Sequence, residues 1–192
     1  MNSHIIENLR KYSSDVCEAI EVTDFDTLGS VAEMLLAAKE KNVTIYTAGN
    51  GGSAATASHM CNDLLKGCSV CGNPGFKAEC LADSLAVVTC LANDFSYEDI
   101  FSIQLETKAR EGDLLIVFSG SGNSPNIVKA IECAEKKGMT VIGFTGRDGG
   151  RMAPLCDLTM IARTDSMEQI EDLHMMYVHL LSDTIQKMLK ES

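Results

Sequence analysis

Two small-residue loops and a scattered set of histidines and acids are the parts of this chain that can do chemistry. Thr47-Ala48-Gly49-Asn50-Gly51-Gly52-Ser53-Ala54 and Ser119-Gly120-Ser121-Gly122-Asn123-Ser124-Pro125 each follow an apolar run and precede a stretch with helical periodicity. Such a loop between strand and helix leaves backbone N–H groups facing open space beside the positive end of a helix dipole. That setting suits an anion, above all a phosphate. In the second loop Ser119, Ser121 and Ser124 offer hydroxyls, Asn123 offers an amide, and Gly120 and Gly122 let the backbone approach a ligand closely. A lone Ser/Gly loop is often a plain turn, but two of them favour a phosphate site. Neither is a P-loop, since no Gly-Lys-Ser/Thr follows, and the first misplaces the third glycine of the dinucleotide fingerprint. The wealth of hydroxyls and amides points to a phosphorylated small molecule.

The titratable residues fall on two helical stretches. His59 and Asp63, four apart, share a helix face. His179 lies in the last helical segment, with Glu168, Glu171, Asp172 and His174 upstream. Asp172 and His179 stand nearly on one stripe, and Glu171 would reach a shared site from the side. Two histidines and two carboxylates suit zinc binding or an acid–base pair. The plainer alternative is that the histidines are ordinary helix residues and the acids a solvated first turn favoured by the dipole. Asn93-Asp94-Phe95-Ser96-Tyr97-Glu98-Asp99 reads as a polar turn between helices, in which Asp94 caps a helix or bonds sugar hydroxyls. Arg147-Asp148-Gly149-Gly150-Arg151 reads as a turn after a strand, and Asp113 as a residue at the start of one.

These groups need a scaffold, and the hydropathy pattern predicts it. Helical periodicity covers residues 3–22 and 25–41, with Asp24 as the cap of the second helix. Short apolar runs at 43–46, 77–81, 114–118, 140–144 and 158–161 read as strands, and 53–65, 85–91, 97–110, 125–137 and 167–190 as helices. Pro125 suits the first position of its helix. Strands that are apolar throughout and alternate with helices predict an α/β fold: a parallel sheet covered on both faces, with right-handed crossovers. Both loops then sit at the carboxyl ends of strands, where open α/β sheets bind ligands. No linker interrupts the chain, so residues 1–192 are expected to form one domain, with helices at 1–41 and the α/β core at 42–192.

Composition narrows the function further. The chain has 192 residues, 45% hydrophobic, which is enough for a full core without staples. A net charge of −11 argues against nucleic acid and acidic membranes as partners. Any phosphate must be held by local dipoles. No apolar run is long enough to cross a bilayer, and no signal-peptide pattern is present, so a cytoplasmic location with reduced thiols is expected. Cys68-Ser69-Val70-Cys71 has C-x-x-C spacing, but it lacks a second pair and runs into a Gly72-Asn73-Pro74-Gly75 turn. It reads as two inert thiols.

Taken jointly, Gly49-Asn50-Gly51-Gly52-Ser53-Ala54, His59 with an acid at 63, Asn93-Asp94-Phe95, Ser119 to Ser124, Lys137-Gly138-Met139, Thr145-Gly146-Arg147-Asp148-Gly149-Gly150 and Asp172-x-His174 with His179 resemble the phosphoheptose isomerases of the SIS (sugar isomerase) fold. Those enzymes interconvert sedoheptulose 7-phosphate and a heptose 7-phosphate. The resemblance spans nearly the whole chain. It implies a doubly wound five-stranded parallel sheet, extra N-terminal helices and a homotetramer with sites at subunit boundaries. It implies phosphate held by Ser53, Ser119, Ser121 and Ser124, with Asn50, Gly51, Gly52, Asp94, Gly120 and Glu171 also lining the substrate site. Asp63 and His179 would exchange protons through an enediol, and one zinc ion per site would be held by His59, Asp63, Glu171 and His179. The family usually carries Glu at 63, Gln at 171, Thr at 120 and Asp at 168, where this chain has Asp63, Glu171, Gly120 and Glu168. A non-catalytic SIS module that binds sugar phosphates or assembles with other proteins is the alternative; it would need the serines but not Asp63 and His179 together.

Overall fold

The computed structural model describes residues 3–69 and 72–191. Five strands form one parallel sheet: β1 (Thr44–Gly49), β2 (Lys77–Cys80), β3 (Leu114–Ser119), β4 (Thr140–Gly146) and β5 (Leu158–Ala162). Their spatial order is β2-β1-β3-β4-β5. All six residues of β3 are buried, as its continuous apolar run requires of a strand covered on both sides. Alternate side chains feed two cores. Ile116 and Phe118 face one layer, built from α2 (Phe25–Glu40), α3 (Gly52–Asn62) and α7 (Met167–Glu191). Leu115 and Val117 face the other, built from α5 (Ser102–Lys108) and α6 (Pro125–Lys136). The expected doubly wound architecture is therefore present.

Local chemistry sets the element boundaries. Asp24 caps α2, accepting from the Thr27 N–H at 2.9 Å. Asp113 ties strand starts together: one carboxylate oxygen accepts from Thr44 N–H and the other from Arg110 N–H, both at 2.9 Å. The helix expected over 97–110 is instead a single 3₁₀ turn (Tyr97–Asp99) followed by α5. The fully buried Ile100 and Phe101 anchor the chain between them, and packing overrides helical periodicity there. The turn expected at 93–99 begins later, because α4 (Leu85–Asp94) carries Asn93 and Asp94 in its last turn. The helix expected over 53–65 changes at Asp63 into a π-helical turn, Asp63–Gly67, closed by Cys68 N–H to Asp63 O at 2.9 Å.

Two elements stay at the margin. α1 (Ser3–Glu21) buries only Ala19 among its described side chains, and Tyr12 Oη donates to Asp172 Oδ2 on α7 at 2.5 Å. That bond pushes the Tyr12 hydroxyl up to about 12. α4 is apolar yet fully buries no side chain; Val88, Leu91 and Ala92 are half-buried against the second core. No helix of the described residues is long and apolar enough to cross a membrane. Cys68 is buried, which pushes its thiol up to about 11 and makes it unreactive; Cys71, its C-x-x-C partner in the sequence, lies outside the described residues.

Candidate active site

The chain leaves β1 toward β2 on one side and returns to β3 on the other, so β1 and β3 flank the point where strand order reverses. A crevice opens at the carboxyl ends of strands at such a point. Gly49 pairs opposite Phe118, which brings both loops to that place side by side. Asn50 and Asn126 lock them with two reciprocal amide bonds of 2.8 Å, and Tyr97 Oη donates to Asn50 Oδ1 at 2.9 Å. The Asn50 side chain is thus committed to a clamp between loops. Asn126 was not anticipated from sequence. Its signal was a polar residue directly before the apolar run of α6, and it is 1% exposed.

The first loop turns through Gly51 at φ 54°, a conformation that disfavours side chains. It runs into α3, with Ser53 buried in the first turn. The Glu171 carboxylate lies against Gly52, where an added Cβ would come within 2.5 Å of Oε2. In the second loop, Ser119 Oγ and Ser124 Oγ stand 3.3 Å apart. Ser121 Oγ accepts from Asn123 N–H at 3.2 Å. The Asn123 amide, expected to face a ligand, is used internally: Nδ2 donates to Ser121 O at 2.8 Å, and Oδ1 accepts from Arg151 N–H at 3.1 Å. It fastens the loop to the 147–151 turn. At Gly120, a Cβ would collide with the Met167 sulfur at the start of α7. The small residue and the thioether fit each other.

The histidines and acids assemble where α3 meets α7. His59 Nε2 and His179 Nε2 are 3.0 Å apart, and His59 Nε2 is 3.6 Å from Asp63 Oδ2. The ligating atoms of all three residues lie within 4.8 Å of one another. Two ring nitrogens this close must share a proton or point their lone pairs at one cation. Ligands on a tetrahedral metal with bonds of about 2.0–2.1 Å sit about 3.3 Å apart, and the His59–His179 and His59–Asp63 separations lie near that, so the three groups could hold a metal ion. Glu171, the fourth expected ligand, is not in the cluster; it stands against Gly52, two helical turns away along α7. The side chain of His59 is 40% exposed and His179 is exposed, so the cluster opens at the surface of the chain.

The remaining candidates have other partners. The Asp94 carboxylate accepts from Asn93 Nδ2 at 2.8 Å and from Cys90 Sγ at 3.4 Å, within its own helix. Those bonds hold its acid below the usual carboxylate range. Glu168 accepts from Ser166 Oγ at 2.9 Å at the start of α7. His174 is 1% exposed beside Phe118 and Phe144, and its Nε2 meets Thr145 O at 3.1 Å. Burial lowers it to about 4, so the ring is a neutral structural post rather than a site residue.

Comparison with known proteins agrees with this fold. A family model for the SIS domain matches residues 9–146. A phosphoheptose isomerase of Sulfurimonas denitrificans is 33% identical over 189 residues, covering 97% of this chain and 96% of that protein. One from Helicobacter pylori is 36% identical over 162 residues, covering 84% of each. The structure of phosphoheptose isomerase GmhA from Neisseria gonorrhoeae superposes with a TM-score of 0.88 at 27% identity, covering 95% of this chain and 99% of that one. That of a phosphoheptose isomerase from Francisella tularensis gives 0.89 at 27% identity, covering 97% and 100%.

Proposed function

Because the chain belongs to the phosphoheptose isomerase family of SIS-domain proteins, we infer that it is an aldose–ketose isomerase acting on a phosphosugar, with sedoheptulose 7-phosphate as its ketose. The observation that carries this reading is the joint presence of two clasped phosphate-type loops at the carboxyl ends of β1 and β3 and an acid–base cluster about two helical turns further along α3 and α7. A pure sugar-phosphate binder has no use for Asp63 and His179 side by side.

In this reading Ser53, Ser119, Ser121 and Ser124 hold the phosphate with hydroxyls and loop amides, aided by the α3 and α6 dipoles. Gly51, whose side-chain position is open, lets the sugar lie close to the backbone, Gly52 and Gly120 offer it backbone N–H groups, and Glu171 bonds its hydroxyls from above Gly52. Isomerisation moves a proton between C1 and C2 through a cis-enediol. Asp63 and His179 share that work, one at carbon and one at oxygen. His59, Asp63 and His179 would hold a zinc ion. A bound zinc would polarise the carbonyl and hydroxyl oxygens. Asp94 stands on α4 and completes a site at a subunit boundary within a homotetramer. The protein works in the cytoplasm as one SIS domain spanning residues 1–192. Turnover of a small panel of ketose phosphates, with and without a chelator, tests the reading. Isomerisation of sedoheptulose 7-phosphate supports it. Binding without turnover of any of them would favour a sensor or assembly module instead.

A further inference from the structure

Asp63 begins the π-helical turn, and two side chains of α7 hold that turn from outside. Ser182 Oγ lies 3.1 Å from Asp63 Oδ2, the oxygen that faces His59. Four residues on, Gln186 Nε2 donates to Gly67 O, the last carbonyl of the turn, at 2.6 Å. His179, Ser182 and Gln186 are spaced three and four apart, so all three project from the same side of α7. The Asp63 side chain is 18% exposed; its Oδ1 accepts a long bond of 3.4 Å from Asn62 Nδ2, and Ser182 supplies the shorter one, to Oδ2. Ser182 Oγ also lies 3.2 Å from His179 O, the usual partner of a helical serine. It has one proton to give. The charged carboxylate is the stronger acceptor, so the hydroxyl goes to Asp63.

We propose that Ser182 is a positioning residue: its hydroxyl fixes the Asp63 carboxylate so that Oδ2 points at the His59–His179 pair, and Gln186 keeps the turn beneath it in register. The assignment rests on reading His59, Asp63 and His179 as the isomerase centre. It follows from the short reach of an aspartate at 63. An acid one methylene longer has spare length to find the histidines, whereas Asp63 has less reach and depends more on where its carboxylate is held.

The test is cobalt(II) uptake by the full-length protein, followed by d–d absorption, alongside turnover of sedoheptulose 7-phosphate. Ser182→Ala weakens cobalt binding about ten-fold, the range typical of supports behind metal ligands. It lowers kcat with KM nearly unchanged. Ser182→Thr, which keeps the hydroxyl, binds cobalt as the wild type does. In an Asp63→Ala background, Ser182→Ala adds no further loss. Equal losses in both backgrounds, wild-type binding by Ser182→Ala, or a wild type that takes up no cobalt overturns the assignment. Cobalt uptake with the predicted coupling, but no turnover of any phosphoketose, leaves the assignment standing and sinks the isomerase reading.

Discussion

At the scale of single residues, the cluster is built from groups that each have a specific geometric duty. His59 and Asp63 are neighbours because they are four apart across the end of α3 and the π turn that continues it, which sequence spacing already required. His179 meets them only because α7 packs along α3. Replacing either Asp63 or His179 by Ala is expected to abolish isomerase turnover while leaving the thermal unfolding midpoint within a few degrees of wild type, since neither side chain belongs to the apolar core. Full activity in either variant removes the proposed proton-transfer pair. Removal of divalent metal with a chelator is expected to cut turnover at least ten-fold, and added zinc to restore it, as measured in the same assay.

At the scale of elements, the loops are held by what lies behind them. The first loop folds tightly enough that the Cβ position of Gly49 is occupied by the Ser53 backbone carbonyl. Backbone cannot step aside as a side chain can. Gly49→Ala is therefore expected to lower the unfolding midpoint by several degrees and to weaken phosphate binding, readable by differential scanning fluorimetry and inhibition by inorganic phosphate. Gly120 presents a softer case, since its obstacle is the flexible Met167 side chain. Gly120→Thr, which restores the residue usual in the family, is expected to be destabilising alone and largely rescued when combined with Met167→Ala. A melting curve for each variant settles it. The same reasoning explains why sequence placed the strands well but misjudged 93–110. Periodicity reports a helix face, yet it is blind to Ile100 and Phe101 being drawn into the core beside α6.

At the scale of the whole molecule, a buried titratable ring and exposed apolar surface govern behaviour. Neutral His174 sits between Phe118 and Phe144 with its ring lowered to about 4, against an unfolded value of about 6.5. The unfolded chain binds the extra proton between those values, so stability rises with pH across that window. The contribution is complete above about pH 6.5 and is lost as pH falls toward 4. Urea midpoints from pH 7.5 to 4.5 should fall in wild type and fall less in His174→Gln. Leu85 on α4, Phe95 and Tyr97 beyond it, and Ile5 and Leu9 on α1 are exposed by half or more, which is more apolar surface than a free helix face should offer water. The protein is expected to sediment as an oligomer, and Leu85→Glu to shift it toward smaller species. By itself, the sequence determined what depends on local order: the strand–loop–helix rhythm, the paired anion-type loops, the i, i+4 placement of His59 and Asp63, and the Asp24 cap. Only the tertiary structure decided what depends on approach between distant segments. It brought His179 to His59, closed the Asn50–Asn126 clasp, set Glu171 over Gly52 and gave Met167 the space beside Gly120. The physical reason is range. Periodicity, capping and turn chemistry act over a few residues, whereas a site is a meeting of side chains that only the packing of α7 against α3 and the pairing of β1 with β3 can arrange.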